Sequence, residues 1–151
     1  MSRKRTKTLI IIAFILIAAL SISLIVAFTR IDKGIKTRDI SWTEYSIGAF
    51  DESGKAIESK EALITKDFIT VDGATFELEE DAKISYQVLC YNADKEYIAT
   101  VDGPTDGTAV TFAEGTKYMR IQINPTADED GEISLLEKSG YAKQLTVTVN
   151  K

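Results

Sequence analysis

Hydrophobic and polar positions divide the chain into two parts with different periods. Residues 9–28 are apolar apart from two serines, with no charge, proline or glycine. A helix of this length spans about 30 Å, the thickness of the hydrocarbon core of a bilayer. From residue 40 onward, short runs alternate apolar and polar side chains between turn-forming residues. The first pattern predicts a transmembrane helix, and the second predicts half-buried β-strands.

The alternating runs predict a series of short strands. We expect them at residues 40–50, 62–65, 68–71, 75–79, 83–91, 96–101, 118–124 and 145–149, with one more beginning at Val110 and Phe112. Residues 51–55 (DESGK) have the composition of a hairpin turn, and residues 132–139 fit either a strand or a helical turn. Strands of this number and pattern predict an all-β fold, an antiparallel two-sheet β-sandwich.

These patterns give a basic cytoplasmic tail (1–8), a transmembrane helix (9–28), a juxtamembrane linker (29–39) and an extracellular β-sandwich domain (40–151). Four basic residues lie in the tail and four in the linker, so side chains alone leave the orientation open. The free amino group, the two linker acids and the long exported C-terminal part favour a cytoplasmic N-terminus at the cell membrane. The alternative is a cleaved signal peptide, because Ser21 and Ser23 form a small-x-small site.

Charge and residue types restrict the function. Residues 40–151 carry ten basic and 21 acidic side chains, a net charge of −11 that opposes nucleic-acid binding. The chain has no histidine, which excludes Ser-His-Asp and Cys-His catalysis and histidine-ligated metals. Cys90 is the only cysteine, and we expect it to be buried and inert. An exported domain without disulfides indicates a bacterium. We expect no cofactor and no metal, since the acidic loops near residues 102–106 and 128–130 lack calcium-loop spacing.

Three segments resemble one group of modules. They are Trp42 with the following Ile47-Gly48 and Gly54, residues 86–98 (YQVLCYNADKEYI), and residues 110–121 (VTFAEGTKYMRI). Together they resemble the jelly-roll, carbohydrate-binding-like modules of exported and phage-tail proteins of Gram-positive bacteria. The resemblance covers roughly residues 40–124 and implies a jelly-roll fold and a glycan ligand or none. A single module behind an anchor, with no attached enzyme, departs from the usual multidomain setting.

One predicted sheet face has the chemistry that sugars need. An aromatic ring, a guanidinium and two amides point the same way from the strand at residues 118–124: Tyr118, Arg120, Gln122 and Asn124. Such groups stack on sugar rings and hydrogen-bond to hydroxyls. Gln87 and Tyr91 join this face if their strand is adjacent. The competing interpretation is an ordinary solvated face in which Arg120 pairs with nearby acids.

Trp42, the only tryptophan, is a further ligand-binding candidate, although a lone tryptophan near the start of a sandwich more commonly fills the core. We therefore expect a single-pass, membrane-anchored, non-catalytic extracellular binding module. Its partners would be the bilayer, through residues 9–28, and a glycan or a surface protein. The alternative is a membrane-tethered accessory subunit that docks a protein. A small hydrolase with two carboxylates is a third interpretation, but no catalytic motif accompanies the many acids.

Overall fold

The structure is a computed structural model that describes residues 36–126 and 131–151. Over these residues the chain forms eleven β-strands, one 3-10 helix and one α-helix. In chain order they are β1 (Thr37–Asp39), the 3-10 helix (Trp42–Glu44), β2 (Tyr45–Ile47), β3 (Ala49–Phe50), β4 (Ala56–Ile57), β5 (Leu63–Thr65), β6 (Ile69–Thr70), β7 (Thr75–Leu78), β8 (Ile84–Tyr91), β9 (Tyr97–Asp102), β10 (Tyr118–Pro125), α1 (Lys138–Lys143) and β11 (Leu145–Asn150).

The larger sheet is built around β8 and β10. Its strand order is β2-β5-β10-β8-β9, with β6 also paired to β10, and every pair is antiparallel. The strands β8 and β10 pair over their whole length, from Tyr91 opposite Tyr118 to Ile84 opposite Pro125. Because side chains alternate along a strand, every second residue of β10 enters the core, as the burial of Met119, Ile121 and Ile123 shows.

The smaller sheet has the strand order β1-β11-β7 and is also antiparallel. Val147 and Val149 of β11 are fully buried, and Phe76 and Leu78 of β7 pack beside them. These side chains share one apolar core with the inner face of the larger sheet. The fold is therefore mostly antiparallel β-sheet around a common core, consistent with the predicted all-β sandwich.

The predicted hairpin at residues 51–55 is confirmed as the connection between β3 and β4. One Asp51 carboxylate oxygen accepts hydrogen bonds from the backbone N–H groups of Ser53 (2.9 Å) and Lys55 (3.0 Å) and from the Ser53 hydroxyl (2.7 Å). Gly54 completes the turn with a φ of +73°, a conformation that favours glycine. The hairpin is thus fixed by its own short polar side chains.

The predicted strand over residues 40–50 is wrong in its first half. Ser41 is the N-cap of the 3-10 helix, and its hydroxyl accepts a hydrogen bond from the Thr43 backbone N–H. In return, the Glu44 carboxylate accepts from the Ser41 backbone N–H at 2.9 Å. This reciprocal pair is a capping box, and the Ser-x-x-Glu spacing at residues 41–44 is its signal in the sequence. Only the part after Glu44 forms strands, β2 and β3.

The strand predicted to begin at Val110 and Phe112 is also wrong. Residues 103–117, all within the described part of the chain, contain no strand. Both side chains are half-buried and pack against the core from a loop. Their apolar character therefore reflects burial and not pairing in a sheet. Residues 132–139, which fitted either a strand or a helical turn, form a turn that leads into α1.

The folded domain begins slightly before residue 40. Thr37–Asp39, inside the predicted linker, form β1 and pair with β11, with Arg38 opposite Val149. Within the described ranges, no helix is long and apolar enough to cross a membrane. The predicted tail, the predicted transmembrane helix and most of the predicted linker lie outside those ranges, as does the acidic loop at residues 128–130.

Candidate functional site

The larger sheet places five of the sequence-predicted site residues on one face. Tyr118, Arg120 and Gln122 alternate along β10 with the buried core residues. On the neighbouring β8, Tyr91 lies opposite Tyr118, and Gln87 lies opposite Gln122. The two strands are adjacent, which was the condition for Gln87 and Tyr91 to share this face. This face, on the side away from the shared core, is called the outer face below.

Arg120 holds the outer face together. Its guanidinium donates from Nε (3.2 Å) and Nη2 (2.5 Å) to the Thr65 carbonyl oxygen, and from Nη2 to the Lys66 carbonyl oxygen (3.0 Å). The Phe50 ring lies 4.5 Å from the guanidinium carbon. Burial lowers the pKa of Arg120, but an arginine keeps its charge in proteins. The guanidinium thus pairs with backbone carbonyls where the competing interpretation expected acidic side chains.

Tyr91 and Tyr118 belong to an aromatic group at the same end of the outer face. The Phe68 ring meets Tyr91 edge-on, with centroids 4.9 Å apart, and Tyr118 at 6.4 Å. Tyr91 is only 3% exposed, and its hydroxyl donates to the Gly54 carbonyl oxygen at 2.6 Å. Burial raises the pKa of Tyr91 to about 12. The Lys95 ammonium lies 5.5 Å from the Tyr118 ring centroid, so neither ring offers a fully open stacking surface.

Trp42 lies apart from the other candidates, on the 3-10 helix. Its side chain is 42% exposed, so the expectation that it fills the core is wrong. The physical reason is the capping box, which turns the chain at Ser41 before a strand can carry the indole inward. The Lys138 ammonium lies 5.6 Å from the indole centroid.

Gln122 stands where the hairpin crosses the outer face. Its side-chain oxygen accepts a hydrogen bond from the Phe50 backbone N–H at 2.7 Å, and its side-chain nitrogen donates to the Asn124 side-chain oxygen at 2.8 Å. Gln87, opposite Gln122 in the register, donates to the Asp102 carboxylate at 3.0 Å. Both amides are therefore oriented by neighbours and only partly buried, which is the state of a polar group in a binding site.

Two clefts open on the outer face, and Gln122 contributes to both. The first, here named the Gln87 cleft, has a volume of about 340 Å³. Its lining includes Phe50, Glu52, Gln87, Tyr97, Thr100 and Gln122. The second, here named the Glu61 cleft, has a volume of about 470 Å³. Its lining includes Ser59, Glu61, Gln122, Asn124, Glu132 and Tyr141.

The chemistry of the clefts is that of hydrogen bonding to hydroxyl groups. The Gln87 cleft combines amides and carboxylates with two aromatic rings, Phe50 and Tyr97. The Glu61 cleft has two carboxylates, of which Glu132 pairs with the Lys60 ammonium at 3.4 Å. Over residues 36–126 and 131–151, no three acidic or cysteine side chains come together as a metal site. Cys90 is fully buried, as its place in the alternation predicts.

Several residues of the clefts were not predicted from the sequence. Phe50 and Glu52 reach the outer face because the hairpin folds over it, and Glu61 lies in the connection before β5. None of them has a periodic or motif signal of its own. Tyr97 also lacks a signal of its own, and it reaches the cleft because a turn brings β9 back alongside β8.

The chain was compared with protein-family models, with curated proteins and with solved structures, and none of them matches it.

Proposed function

We propose that this chain is a single-pass, membrane-anchored extracellular binding module that is carbohydrate-binding-like and non-catalytic. Three features support the proposal. The apolar residues 9–28 are long enough to anchor the chain in a bilayer. The folded part is antiparallel β-sheet, with two sheets around one core and a separate two-stranded hairpin, and double-sheet jelly rolls include lectin domains. The outer face carries a cleft lined by sugar-binding chemistry.

The Gln87 cleft is the observation that carries the proposal. Two residues predicted for ligand binding, Gln87 and Gln122, meet there beside the Phe50 and Tyr97 rings. Its volume of about 340 Å³ lies within the range of small-ligand pockets, which is roughly 300–1,000 Å³. Leu89 at the cleft is 2% exposed and gives it an apolar base. Aromatic and apolar groups with a few oriented polar groups are typical of sites that bind sugars.

Each group in the cleft has a part in binding a sugar. An aromatic ring packs against the C–H face of a pyranose, and both rings of the cleft, Phe50 and Tyr97, are half-buried. The Gln87 and Gln122 amides each carry donors and an acceptor for vicinal hydroxyls. The exposed Glu52 carboxylate, on the hairpin, is a charge-assisted acceptor for hydroxyl protons. A neutral or amine-bearing glycan fits this set, because the domain as a whole is acidic.

A glycan array with the full-length chain in lipid nanodiscs tests the function. We expect binding to one class of envelope or external polysaccharide, and loss of that binding in Gln87→Ala combined with Thr100→Ala. Glu61→Ala is the matched control, because it removes a carboxylate from the other cleft and should leave binding unchanged. An array with no bound glycan would refute the carbohydrate-binding function. Loss of binding in Glu61→Ala alone would refute its placement in the Gln87 cleft.

A docking role for a protein partner is the second candidate, and the edge strand β9 favours it. In the described part of the chain, β9 pairs only with β8, and Ile98 on it is 37% exposed. An edge strand with an apolar side chain is a template for strand addition by another chain. Crosslinking in native membranes should then recover one stoichiometric partner, and Ile98→Lys should abolish that crosslink.

A further inference from the structure

Two adjacent leucines are held out into solvent at one point of the surface. Leu135 is 80% exposed and Leu136 is 91% exposed, far more than the other large apolar side chains of the described residues. The turn that carries them is closed by hydrogen bonds between the residue before the leucines and the residue after them. The Ser134 hydroxyl donates to the Glu137 carboxylate at 2.6 Å, and the same carboxylate accepts from the Ser134 backbone N–H at 2.9 Å. The leucines are thus displayed by an ordered turn, which points to a surface that they contact.

A tryptophan and two lysines lie next to this turn. Lys138 follows Leu136 by two residues at the start of α1, and its ammonium lies 5.6 Å from the Trp42 ring. The Lys66 ammonium donates to the Thr43 carbonyl oxygen at 2.9 Å, directly beside Trp42 in the chain. Tryptophan is enriched where proteins meet the headgroup region of a membrane, and lysine keeps its charge in water there while its stem lies on apolar surface.

The place of this group in the chain indicates which surface it meets. The 3-10 helix with Trp42 is bonded to the first strand, because Arg38 of β1 pairs with Glu44 at 3.0 Å. The predicted transmembrane segment ends at Phe28, so only residues 29–36 separate it from β1. Eight residues reach at most about 30 Å when fully extended. If residues 9–28 anchor the chain as proposed, a tether of this length gives the group access to the bilayer, and apolar side chains beside ammonium groups have the chemistry to contact lipid.

We propose that Trp42, Leu135 and Leu136, with Lys66 and Lys138, form a lipid-contact patch that rests the β-sheet domain on the phospholipid bilayer. The leucines enter the boundary between headgroups and acyl chains, the indole lies at the headgroup level, and the ammonium groups meet lipid phosphates. The inference rests on the proposed membrane anchoring, and it adds an orientation of the domain. The outer face is then presented at a fixed angle to the membrane and not on a freely moving tether.

The only tryptophan of the chain reports directly on this contact. The full chain is reconstituted into phosphatidylcholine vesicles, with and without phosphatidylglycerol, and flotation first establishes that it is anchored. Tryptophan emission is then compared between ordinary vesicles and vesicles of lipid brominated near the headgroup. We expect brominated lipid to quench the emission of the wild type. We expect Leu135→Ser combined with Leu136→Ser to float equally well, to emit at longer wavelength and to lose the quenching.

Ile98→Ser is the matched control, because Ile98 is an exposed apolar residue on β9, at the edge of the larger sheet opposite β2. It should keep the wild-type quenching. A chain that does not float refutes the anchoring and with it the proposed membrane function. A chain that floats but shows no quenching refutes the patch alone. The patch is also refuted if brominated lipid does not quench the tryptophan emission and the emission changes with the density of protein in the vesicle. That result would indicate that Trp42 contacts another copy of the chain.

Discussion

Arg120 and Thr65 close a gap in the larger sheet. The β10 strand pairs first with β5, where Gln122 lies opposite Ile64, and then with β6, where Met119 lies opposite Ile69. More residues separate Ile64 from Ile69 than separate Gln122 from Met119, so the ladder is interrupted between them. The Arg120 guanidinium reaches into the interruption and donates twice to the Thr65 carbonyl oxygen.

Replacing Arg120 should therefore destabilise the fold. Arg120→Ala leaves the Thr65 and Lys66 carbonyl oxygens without their donors, which we expect to cost about 1–3 kcal/mol in the free energy of unfolding. Arg120→Lys should recover only part of this loss, because one ammonium cannot reproduce the planar fork of a guanidinium. Urea unfolding followed by circular dichroism measures both variants. An unchanged midpoint in Arg120→Ala would show that the carbonyls are equally well satisfied by water.

Thr65 supports the same gap with its side chain. Its hydroxyl accepts a hydrogen bond from the Ile121 backbone N–H at 3.0 Å, and Thr65 is 1% exposed. Thr65→Val keeps the shape but leaves a buried N–H without an acceptor, so we expect a loss of about 1–3 kcal/mol. Thr146→Val on the exposed side of β11 is the control and should change stability by less than about 0.5 kcal/mol. Equal stability of the two variants would contradict the role of Thr65.

The hairpin over the outer face depends on the absence of a side chain at Gly54. A Cβ there would collide with the Tyr97 ring, and the φ of +73° already disfavours other residues. Gly115 has a similar φ of +83°, but a Cβ there would meet nothing within 4 Å. Gly115→Ala should therefore cost only the backbone term of about 1–2 kcal/mol. Gly54→Ala should cost about 1–3 kcal/mol more, because the hairpin must move.

Thermal unfolding of the two alanine variants measures this difference, and glycan or ligand binding in the Gln87 cleft should fall in Gly54→Ala alone. Equal melting temperatures would mean that the Tyr97 ring moves aside freely.

The local pattern was sufficient for the strands that pair closely and alternate strictly. The alternation of Met119, Ile121 and Ile123 identified the buried face of β10. In the register with β8, each of these residues lies opposite another buried residue. The pattern failed at Phe112, because burial of an apolar side chain in a loop produces the same signal as burial in a strand. It failed at Trp42, because a short capping box overrides alternation.

The hydrogen-bond partners of the candidate site residues could not be predicted in the same way. The sequence indicated that Arg120 and Gln122 share a face, and it could not indicate what covers that face. Arg120 is bonded to backbone carbonyls 54 and 55 residues earlier, and Gln122 to the Phe50 N–H 72 residues earlier. Such bonds depend on where a distant strand end or hairpin folds, and they join side chains to backbone groups that almost every residue possesses. No residue type at the distant position marks them.

Tyr45 offers an opportunity to increase stability. Its hydroxyl is buried and, among the described residues, is the one buried side-chain oxygen without a hydrogen-bond partner. A buried polar group without a partner costs free energy that an apolar replacement of the same shape recovers. Tyr45→Phe should therefore raise the free energy of unfolding by about 1 kcal/mol. Tyr91→Phe, which loses a bond to the Gly54 carbonyl, should instead lower it. Chemical denaturation of both variants at neutral pH checks the opposite signs.

Buried tyrosines should also make the fold less stable at alkaline pH. Tyrosine in an unfolded chain ionises near pH 10, whereas burial raises the pKa of folded Tyr91 to about 12. Between these values the unfolded state binds fewer protons than the folded state, so the free energy of unfolding falls as pH rises from about 10 to about 12. Burial also raises the pKa of Tyr45 and Tyr86, which act in the same direction.

Urea unfolding measured in steps across this range should show a decline that is shallower in Tyr91→Phe than in the wild type. The decline should not vanish, because Tyr45 and Tyr86 still titrate in that variant. Identical slopes would mean that the Tyr91 hydroxyl reaches solvent in the folded protein, and the hydrogen bond to the Gly54 carbonyl would then not hold the hairpin against the outer face.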